Sequence, residues 1–392
     1  MKSEWKTSPL RDLVGFISKG IAPSYADEES ETTVRVLNQK CNRNFRITYS
    51  ESRLHDLARK KVPAERFVRI DDILINSTGA GTAGRIAQIC NLPCDTIVDG
   101  HMIIIRANDK VSQKYLGYAM KAHQWEVLQL DEGSTGQTEL NRERLLDEIM
   151  ISYPTSFSLQ EMVVKTLEGI DQKLLINEKV NDNLQQQAAA LFSSLYDRSN
   201  TEVRFTDLIQ ILGGGTPKTG ENTYWNGNIA FFTPKDVGIP YTLITEKTIS
   251  KEGLSHCNSR LYPVNTVFVT ARGTVGKVGM SGVPMAMNQS CYALVGKETH
   301  QLLVYFYTLK AVDRLKHKAS GAVFDAITTR DFESEQIMKL SDDDATAFLR
   351  VAEPMFQEVL NNNIENLRLS TLRDSLLPKL MSGEIDVSAV QL

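Results

Sequence analysis

Two sets of short turns carry the residues best suited to chemistry in this 392-residue sequence. These turns mix glycine and threonine with amide side chains and a basic residue, a composition that leaves backbone amides and short polar groups exposed. Lysine and arginine pair with phosphate or guanine, whereas asparagine and glutamine can form two hydrogen bonds with adenine. The turns therefore predict contacts with DNA. The first set is Lys19, Tyr25, Asn38, Gln39, Lys40, Arg43, Asn76, Ser77, Thr78, Arg85 and His101, and the second is Thr216, Lys218, Tyr224, Trp225, Thr233, Lys235, Asp236, Arg272, Thr274, Lys277 and Gln289.

No catalytic or metal-binding constellation is apparent. The stretch GGGTPKTG (213–220) resembles a phosphate-binding loop but lacks the Gly-Lys-Ser/Thr ending, and RGTVGK (272–277) has Ala271 where the first glycine should stand. Cys90 and Cys94 have no histidine at zinc-finger spacing. The sequence therefore predicts neither a catalytic residue nor a bound metal, although a catalytic pair assembled only by folding remains open.

The formal net charge of −4 is compatible with a nucleic-acid ligand because the charges are unevenly distributed. Residues 1–155 hold 21 basic and 21 acidic side chains, and residues 199–340 hold 15 and 12, so the excess acid lies on the other segments. Residues 38–69 carry nine basic side chains against three acidic ones. Such a local cluster taken alone is more often a solvated face than a binding site, and it indicates a phosphate-binding surface only together with the polar turns. We call it the basic patch, and it includes Lys40, Arg43, Arg46, Arg53, Arg59, Lys60 and Lys61.

Two long helices must position these turns, and each carries the seam of a two-stranded coiled coil. The first seam is Val163, Leu167, Ile170, Leu174, Asn177, Asn181, Leu184, Ala188, Leu191 and Leu195. The second, offset by 185, is Phe348, Ala352, Met355, Val359, Asn362, Asn366, Leu369, Arg373, Leu376 and Leu380. A buried asparagine weakens a seam but fixes its register when another asparagine faces it. We therefore expect Asn177, Asn181, Asn362 and Asn366 to meet, although periodicity does not choose between parallel and antiparallel helices.

The segments before the helices match as well, which indicates an internal duplication. The matching pairs are RDLVGFISKG (11–20) with TDLIQILGGG (206–215), VRVLNQK (34–40) with IAFFTPK (229–235), ILINSTGAGTAGRIA (73–87) with VFVTARGTVGKVG (267–279), and IVDGHMIII (97–105) with AMNQSCYAL (286–294). Each half is predicted to be a mixed α and β globule followed by one helix. The predicted order is globule 1–155, helix 156–198, globule 199–340, helix 341–386 and tail 387–392, with the second helix ending near Gly383 after a weakening Pro378.

Cysteine usage and hydropathy predict a location. The five cysteines are odd in number and scattered, which suits a reducing compartment. The first residues, MKSEWKTSPLRD, lack the apolar core of a signal peptide, and no uncharged stretch approaches the length that spans a bilayer. We therefore expect a cytoplasmic protein without a membrane role.

Four motifs together resemble the specificity subunits of type I restriction-modification systems, and the resemblance spans nearly the whole chain. They are GGGTPKTGENTYWNGNIAFFTPKDV (213–237), RGTVGK (272–277), GQTELN (136–141) and LRLSTLRDSLLPKLMSGEID (367–386). The resemblance implies an α+β fold in which two target recognition domains are separated by two long helices packed as an antiparallel coiled coil, with an internal pseudo-two-fold repeat. It further implies that each domain reads half of a bipartite double-stranded DNA target.

The resemblance also implies partners and locates the cofactors on them. Two methyltransferase subunits would dock, one beside each recognition domain, together with restriction/translocase subunits. S-adenosylmethionine, ATP and Mg would bind to those partners, and none would bind to this chain. The chain would then be a non-catalytic subunit of a type I restriction endonuclease and DNA adenine methyltransferase complex. That complex would lie in a bacterial or archaeal cytoplasm, associated with the nucleoid when it is bound to DNA.

The first globule departs from the family pattern. SKGIAPSY (18–25) stands where the second globule has GGGTPKTG, and STGAGTAGR (77–85) is longer than ARGTVGK (271–277). Different loops imply different half-sites and weaken residue-level transfer to the first globule. Two alternatives of other classes remain open at this point: an interaction adaptor that does not read DNA, and a hydrolase or nuclease whose site forms only on folding.

Overall fold

The structure is a computed structural model, and it describes residues 4–132, 139–238, 240–318 and 326–387. Part of the GQTELN motif and most of the predicted tail therefore lie outside the described residues. The chain divides into two compact units. Unit 1 comprises Met1–Gln172 and Leu369–Leu392, and unit 2 comprises Lys173–Arg368. Both units combine a mixed α/β globule with segments of two long helices.

Unit 1 is built from short strands and three short helices. Its strands are β1 (Trp5–Pro9), β2 (Val14–Lys19), β3 (Tyr25–Ala26), β4 (Thr33–Leu37), β5 (Asn42–Arg43), β6 (Arg46–Ile47), β7 (Arg53–Asp56), β8 (Ile73–Asn76), β9 (Ile86–Gln88), β10 (Thr96–Val98), β11 (Met102–Ala107), β12 (Asp131–Glu132), β13 (Glu139–Leu140) and β14 (Met150–Pro154). Its helices are α1 (Gln113–Ala122), α2 (Gln124–Leu128) and α3 (Arg142–Glu148). The two main sheets have the strand orders β2-β11-β8-β9 and β10-β4-β7-β3, and β1 pairs with β14.

Unit 2 contains the remaining globule. Its strands are β15 (Thr201–Arg204), β16 (Ile209–Gly213), β17 (Trp225–Phe232), β18 (Tyr241–Thr242), β19 (Lys247–Ile249), β20 (Val267–Thr270), β21 (Val278–Ser281), β22 (Met285–Met287), β23 (Cys291–Gly296) and β24 (Gln336–Lys339). The two long helices are α4 (Phe157–Tyr196) and α9 (Asp342–Met381), and α5 (Phe205–Leu208), α6 (Lys251–Ser255), α7 (Gln301–Lys318) and α8 (Thr329–Ser334) lie between them. The sheets have the orders β16-β23-β20-β21-β18 and β19-β17-β22, and β15 pairs with β24.

The two globules repeat one topology, as the duplicated sequence predicts. The order β2-β11-β8-β9 corresponds to β16-β23-β20-β21, and the parallel pair of β4 with β10 corresponds to that of β17 with β22. The central strands read as apolar runs because both of their faces are covered. Ile73 and Ile105 are fully buried in unit 1, as are Val267 and Leu294 in unit 2.

The long helices begin and end at residues that the sequence marks. The hydroxyl of Ser156 lies 3.4 Å from the backbone N of Leu159 at the start of α4. Before α9, the Ser341 hydroxyl accepts the backbone N–H of Asp344 at 3.1 Å. Gly383 follows α9 with a φ of 75°, which suits a C-terminal cap. Helix α4 lies within the segment 156–198 where the first long helix was predicted, and α9 continues through Pro378 to Met381.

Within unit 2 the seam asparagines meet as the heptad pattern predicts. The Nδ2 of Asn362 donates to the Oδ1 of Asn181 at 2.9 Å, and the Nδ2 of Asn177 donates to the Oδ1 of Asn366 at 2.8 Å. One residue number rises as the other falls, so the helix segments are antiparallel. Asn177, Asn181 and Asn362 are 2%, 5% and 6% exposed, so these amides exchange water for one another.

These paired amides predict strongly non-additive mutations. Asn181→Leu or Asn362→Leu alone leaves a buried amide without its partner and is expected to lower the free energy of unfolding by about 1–3 kcal/mol. The double variant removes both amides and should recover most of that loss. Urea unfolding of the full chain and of the three variants measures the free energies of unfolding that make up this double-mutant cycle. Asn361→Leu, an exposed position on the same helix, is the matched control, expected to change stability by less than about 0.5 kcal/mol. Additive losses in the double variant would contradict direct pairing.

Within unit 1 the one charged seam residue also has a partner. Arg373 donates from Nη1 to the Oδ1 of Asp171 at 2.9 Å. The other carboxylate oxygen of Asp171 accepts the Tyr118 hydroxyl at 2.9 Å. Arg373 therefore fastens the end of α9 to α4, while Tyr118 connects α1 to the same carboxylate.

Candidate nucleic-acid interface

Loops from the two larger sheets of unit 2 meet around an open cavity of about 430 Å³. The loops follow β17 and β20 and precede β23, and the start of β19 completes the wall. Four residues predicted from the sequence line this cavity: Thr233, Lys235, Arg272 and Thr274. The other lining residues are Pro234, Glu246, Lys247, Gly273, Asn288 and Ser290.

Backbone hydrogen bonds join the three loops. The carbonyl oxygen of Ser290 accepts the N–H of Ala271 at 2.8 Å and that of Arg272 at 3.3 Å. The N–H of Asn288 donates to the carbonyl of Phe232 at 3.0 Å, which ties the loop before β23 to the end of β17. The loops therefore present their side chains from a fixed backbone.

The loop between β20 and β21 is organised by a buried hydroxyl. Thr270 is 0% exposed, and its Oγ1 accepts the N–H of Lys277 at 2.9 Å and donates to the carbonyl of Thr274. Gly273 and Gly276 turn the loop with φ values of 82° and 74°, a region that other residues adopt at a cost. The Thr274 hydroxyl donates to the carbonyl of Pro234 at 3.1 Å and so braces the neighbouring loop.

Three cations face the cavity in unit 2. Lys235 is exposed, and its Nζ lies 3.7 Å from the carboxylate of Glu246. The Nζ of Lys247 lies 5.6 Å from the ring centroid of Trp225, close enough for a cation–π contact. Arg272 is exposed, and its side chain makes no hydrogen bond or ion pair with the residues that the structure describes. These charges can pair with phosphate at little cost because each already faces solvent.

The remaining predicted residues of unit 2 do not line the cavity, and their contacts are as follows. Thr216 and Gln289 share a hydrogen bond, and the indole N–H of Trp225 donates to the carbonyl of Lys218 at 3.3 Å. The ring of Tyr224 stacks on His256 with centroids 4.9 Å apart. Lys277 is exposed at the end of the β20–β21 loop.

Unit 1 builds the corresponding loops after β4 and β8 and before β11. The carbonyl of His101 accepts the N–H of Ser77 at 2.8 Å, and the N–H of Asp99 donates to the carbonyl of Leu37 at 2.9 Å. These two bonds match those of Ala271 and Asn288 in unit 2. The Oγ1 of Thr78 lies 2.6 Å from the Nδ1 of His101. Burial raises the pKa of the Asp99 carboxyl, whose Oδ1 accepts the N–H of His101 at 2.9 Å.

Three predicted residues support the loops rather than face solvent freely. Asn76 is 0% exposed, and its Nδ2 donates to the carbonyl of Gln39 at 3.1 Å. Ser77 is 1% exposed. Asp236 is partly exposed, but its carboxylate accepts the backbone N–H groups of Thr233 at 2.8 Å and Glu246 at 2.7 Å. We therefore revise their role, because burial or committed oxygen atoms make these side chains loop supports.

The other predicted residues of unit 1 are accessible. Lys40, Arg43 and His101 are exposed, and Asn38, Gln39, Thr78 and Arg85 are partly exposed. Lys19 is exposed and donates from Nζ to the Oε1 of Glu139 at 2.8 Å, a surface ion pair that is easily opened. The Tyr25 ring lies beneath the Arg53 guanidinium, whose Cζ is 3.4 Å from the ring centroid.

Sequence reasoning missed Lys247, Asn288 and Ser290, which line the cavity in unit 2. Asn288 and Ser290 flank the predicted Gln289, so they could have been found by extending the predicted turn by one residue on each side. Lys247 begins β19, which pairs with β17, and reaches the site only through that pairing. Local composition carries no such signal.

Two neighbouring glycines at the end of β16 are expected to differ sharply in how much an alanine substitution lowers stability. A Cβ on Gly214 would lie 2.1 Å from the carbonyl oxygen of Asn288, whereas a Cβ on Gly213 would meet nothing within 4 Å. Gly214→Ala must displace the loop before β23 and is expected to lower the free energy of unfolding by about 1–3 kcal/mol. Gly213→Ala is the control, expected to cost less than about 1 kcal/mol. Thermal unfolding of the two variants compares them, and equal melting temperatures would contradict the close approach.

The described residues contain no group of three or more His, Cys, Asp or Glu side chains placed to hold a metal ion. In the same residues, no helix is both long and apolar enough to cross a bilayer.

Comparisons with known proteins follow the same division of the chain. The family model for the type I restriction modification DNA specificity domain matches residues 2–186 and 198–339. The chain is 28% identical over 186 residues to the HindI specificity subunit of a type I restriction enzyme of Haemophilus influenzae, an alignment covering 46% of this chain and 40% of that protein. It is 29% identical over 127 residues to the MjaIX specificity subunit of Methanocaldococcus jannaschii, covering 31% of this chain and 29% of that protein. The aligned segments thus span less than half of either relative.

A solved structure has a similar fold. The S subunit of the type I restriction-modification system of M. genitalium aligns with a TM-score of 0.61 and 15% identity, covering 97% of this chain and 96% of that chain. At this identity the likeness establishes the mixed α/β fold with long helices and nothing about residue roles.

Proposed function

Because the chain belongs to the type I restriction modification DNA specificity family, we propose that it is a non-catalytic subunit that selects the DNA sequence on which its partner subunits act. One observation carries this proposal: both globules build the same hydrogen-bonded set of loops, with different exposed polar and basic side chains on each. Two recognition units of this kind suit a bipartite double-stranded target in which each unit contacts one half-site.

The proposed DNA contacts are the accessible side chains of the two loop sets. Lysine and arginine supply phosphate contacts that fix the protein on the duplex, and the amide, hydroxyl and guanidinium groups supply base contacts. We leave out the supporting residues Asn76, Ser77 and Asp236. The set is therefore Lys19, Tyr25, Asn38, Gln39, Lys40, Arg43, Thr78, Arg85 and His101 in unit 1, and Thr216, Lys218, Tyr224, Trp225, Thr233, Lys235, Arg272, Thr274, Lys277 and Gln289 in unit 2, joined by Lys247, Asn288 and Ser290.

The long helices have two proposed roles. Since α4 and α9 connect the recognition units along the chain, their length sets the number of base pairs between the half-sites. They also offer a docking surface for two methyltransferase subunits and, through these, for restriction/translocase subunits. The exposure of Leu175 (41%), Ile176 (55%) and Val180 (38%) on α4 supports a protein partner, because large apolar side chains cluster there on one exposed helix segment.

We assign the cofactors of the reaction to those partners. S-adenosylmethionine and ATP with Mg belong to the methyltransferase and translocase subunits, and this chain contributes the choice of site. We place the complex in the cytoplasm, at the nucleoid while it is bound to DNA.

Selection of duplex DNA from a random library tests the function. The full chain, purified from its host with the subunits it retains, is expected to enrich one motif of two fixed half-sites separated by a fixed gap of unspecified sequence. Binding without sequence preference would support the adaptor alternative. Cleavage of DNA by the chain alone in Mg²⁺ would support the nuclease alternative.

A further inference from the structure

Hydrogen bonds show which residues of the two recognition units are equivalent. The N–H of Leu140 donates to the carbonyl of Ser77 at 2.8 Å, and the N–H of Ile327 donates to the carbonyl of Ala271 at 2.9 Å. Ser77 and Ala271 also donate to the carbonyls of His101 and Ser290, each at 2.8 Å. Ser77 and Ala271 therefore occupy the same place in the two loop sets.

The next residue along the chain is consequently equivalent too. Thr78 forms an isolated bridge with Glu139, and Arg272 forms the same kind of bridge with Ala326. In both units this residue lies two positions after the end of a central strand, which is β8 in unit 1 and β20 in unit 2. On one side lies the loop before β11 or β23, and on the other lies the segment that contains Glu139 or Ala326. The backbone at Thr78 and Arg272 is thus held on two sides.

The side chains at this common position differ in size and in charge. In unit 1 the Thr78 hydroxyl contacts the His101 ring, and Glu139 beside it holds Lys19 by an ion pair. In unit 2 the equivalents of His101 and Glu139 are Ser290 and Ala326, which are small. Arg272 therefore extends over the cavity with no side-chain partner among the described residues.

A long cation on a fixed backbone suits one base in particular. Guanine presents its O6 and N7 acceptors side by side in the major groove, and the guanidinium fork matches both. Among the described residues that line this cavity, Glu246 carries the only carboxylate. It is paired with Lys235, which leaves the guanidinium available to an outside acceptor.

We propose that Thr78 and Arg272 occupy a position at which the two half-sites differ, and that Arg272 reads a guanine in the half-site bound by unit 2. The inference rests on the proposed function and adds to it the identity of one recognised base and of the residue that reads it. Thr78 with His101 presents a shorter pair without a guanidinium group, so the corresponding position in the other half-site is read differently.

Library selection with matched variants of the full chain tests this. Arg272→Ala is expected to lower the preference for guanine at one position of one half-site by about 5- to 150-fold and to leave the other half-site unchanged. Arg272→Lys keeps the charge without the fork and should retain affinity while losing part of that preference. Lys277→Ala, an exposed cation of the same loop, should weaken all sequences equally.

The outcomes separate this inference from the function itself. If the unaltered chain enriches a split motif and Arg272→Ala enriches the same motif with the same base preferences, the inference is wrong and the function stands. A uniform loss of affinity with Arg272→Ala would likewise reject base reading. If the unaltered chain enriches no split motif, both are rejected. Thr78→Ala supplies the reciprocal test, since it should alter only the other half-site.

Discussion

Inserting one heptad into each long helix is expected to widen the gap between the two half-sites, by up to about three base pairs. Seven helical residues add about 10.5 Å, and successive base pairs of B-DNA are about 3.4 Å apart along the axis. The insertions belong between Gln172 and Lys173 in α4 and between Arg368 and Leu369 in α9, where the two compact units divide both helices. Each unit then keeps its internal contacts.

The readout is the gap length in motifs selected from a random duplex library. Because DNA also turns by roughly 34° per base pair, affinity should fall as the gap widens. A heptad inserted into α4 alone is the matched control. The two helices then differ in length, so the seam residues of α4 and α9 can no longer face each other on both sides of the insertion. Loss of the split motif is expected. Double insertions that leave the gap unchanged would reject the spacing role.

Removing two cations from the unit 2 cavity is expected to weaken binding to DNA of every sequence. Lys235→Ala with Lys247→Ala deletes two proposed phosphate contacts at a site that both side chains line. The counterion-release relation predicts that the negative slope of log affinity against log salt becomes shallower by about 1.8. That change is equivalent to a roughly 30-fold loss of affinity at 0.15 M salt. Fluorescence anisotropy titrations over a range of salt concentrations measure both quantities.

The matched control removes two exposed cations from the long helices. Lys179→Ala with Arg350→Ala changes the net charge equally, and both residues are exposed in unit 2. The control should leave the salt slope within about 0.5 of the unaltered value. Equal losses in the two double variants would show that net charge, rather than the cavity, determines the affinity.

The helices could be predicted closely from the sequence because their signal is local and periodic. Heptad spacing marks the seam, and asparagines at matched positions predict each other as partners. The hydrogen bonds of Asn177 and Asn181 confirm this pairing. Helix direction could not be predicted from spacing alone, because the asparagines lie midway along each seam and meet in either orientation.

The loops could be predicted by composition, but the exposure of individual residues could not. Asn76 has the residue type of a base-reading side chain, yet it ends β8, a strand flanked by β11 and β9, and its amide bonds inside the unit. The same composition therefore covers loop supports and loop contacts. Lys247 was missed for the opposite reason, since only the pairing of β19 with β17 brings it to the cavity.

The repeat itself was predictable, and its consequence for the site was not. Alignment of residues 73–87 with 267–279 from their first residues already sets Thr78 opposite Arg272, but the two stretches differ in length, so alignment alone does not establish which loop residues are equivalent. The backbone hydrogen bonds at Ser77 and Ala271 do so directly. Equivalence at the level of single loop positions is what folding adds to the sequence.

The most direct test of the account replaces residues 1–155 by a second copy of residues 199–340 and determines the DNA motif that the chimaera selects. If each recognition unit reads its own half-site and the helices only set the spacing, the motif should contain the half-site of unit 2 twice, in opposite orientations across the gap. A motif that still contains the original half-site of unit 1, or one contiguous site without a gap, would contradict the account.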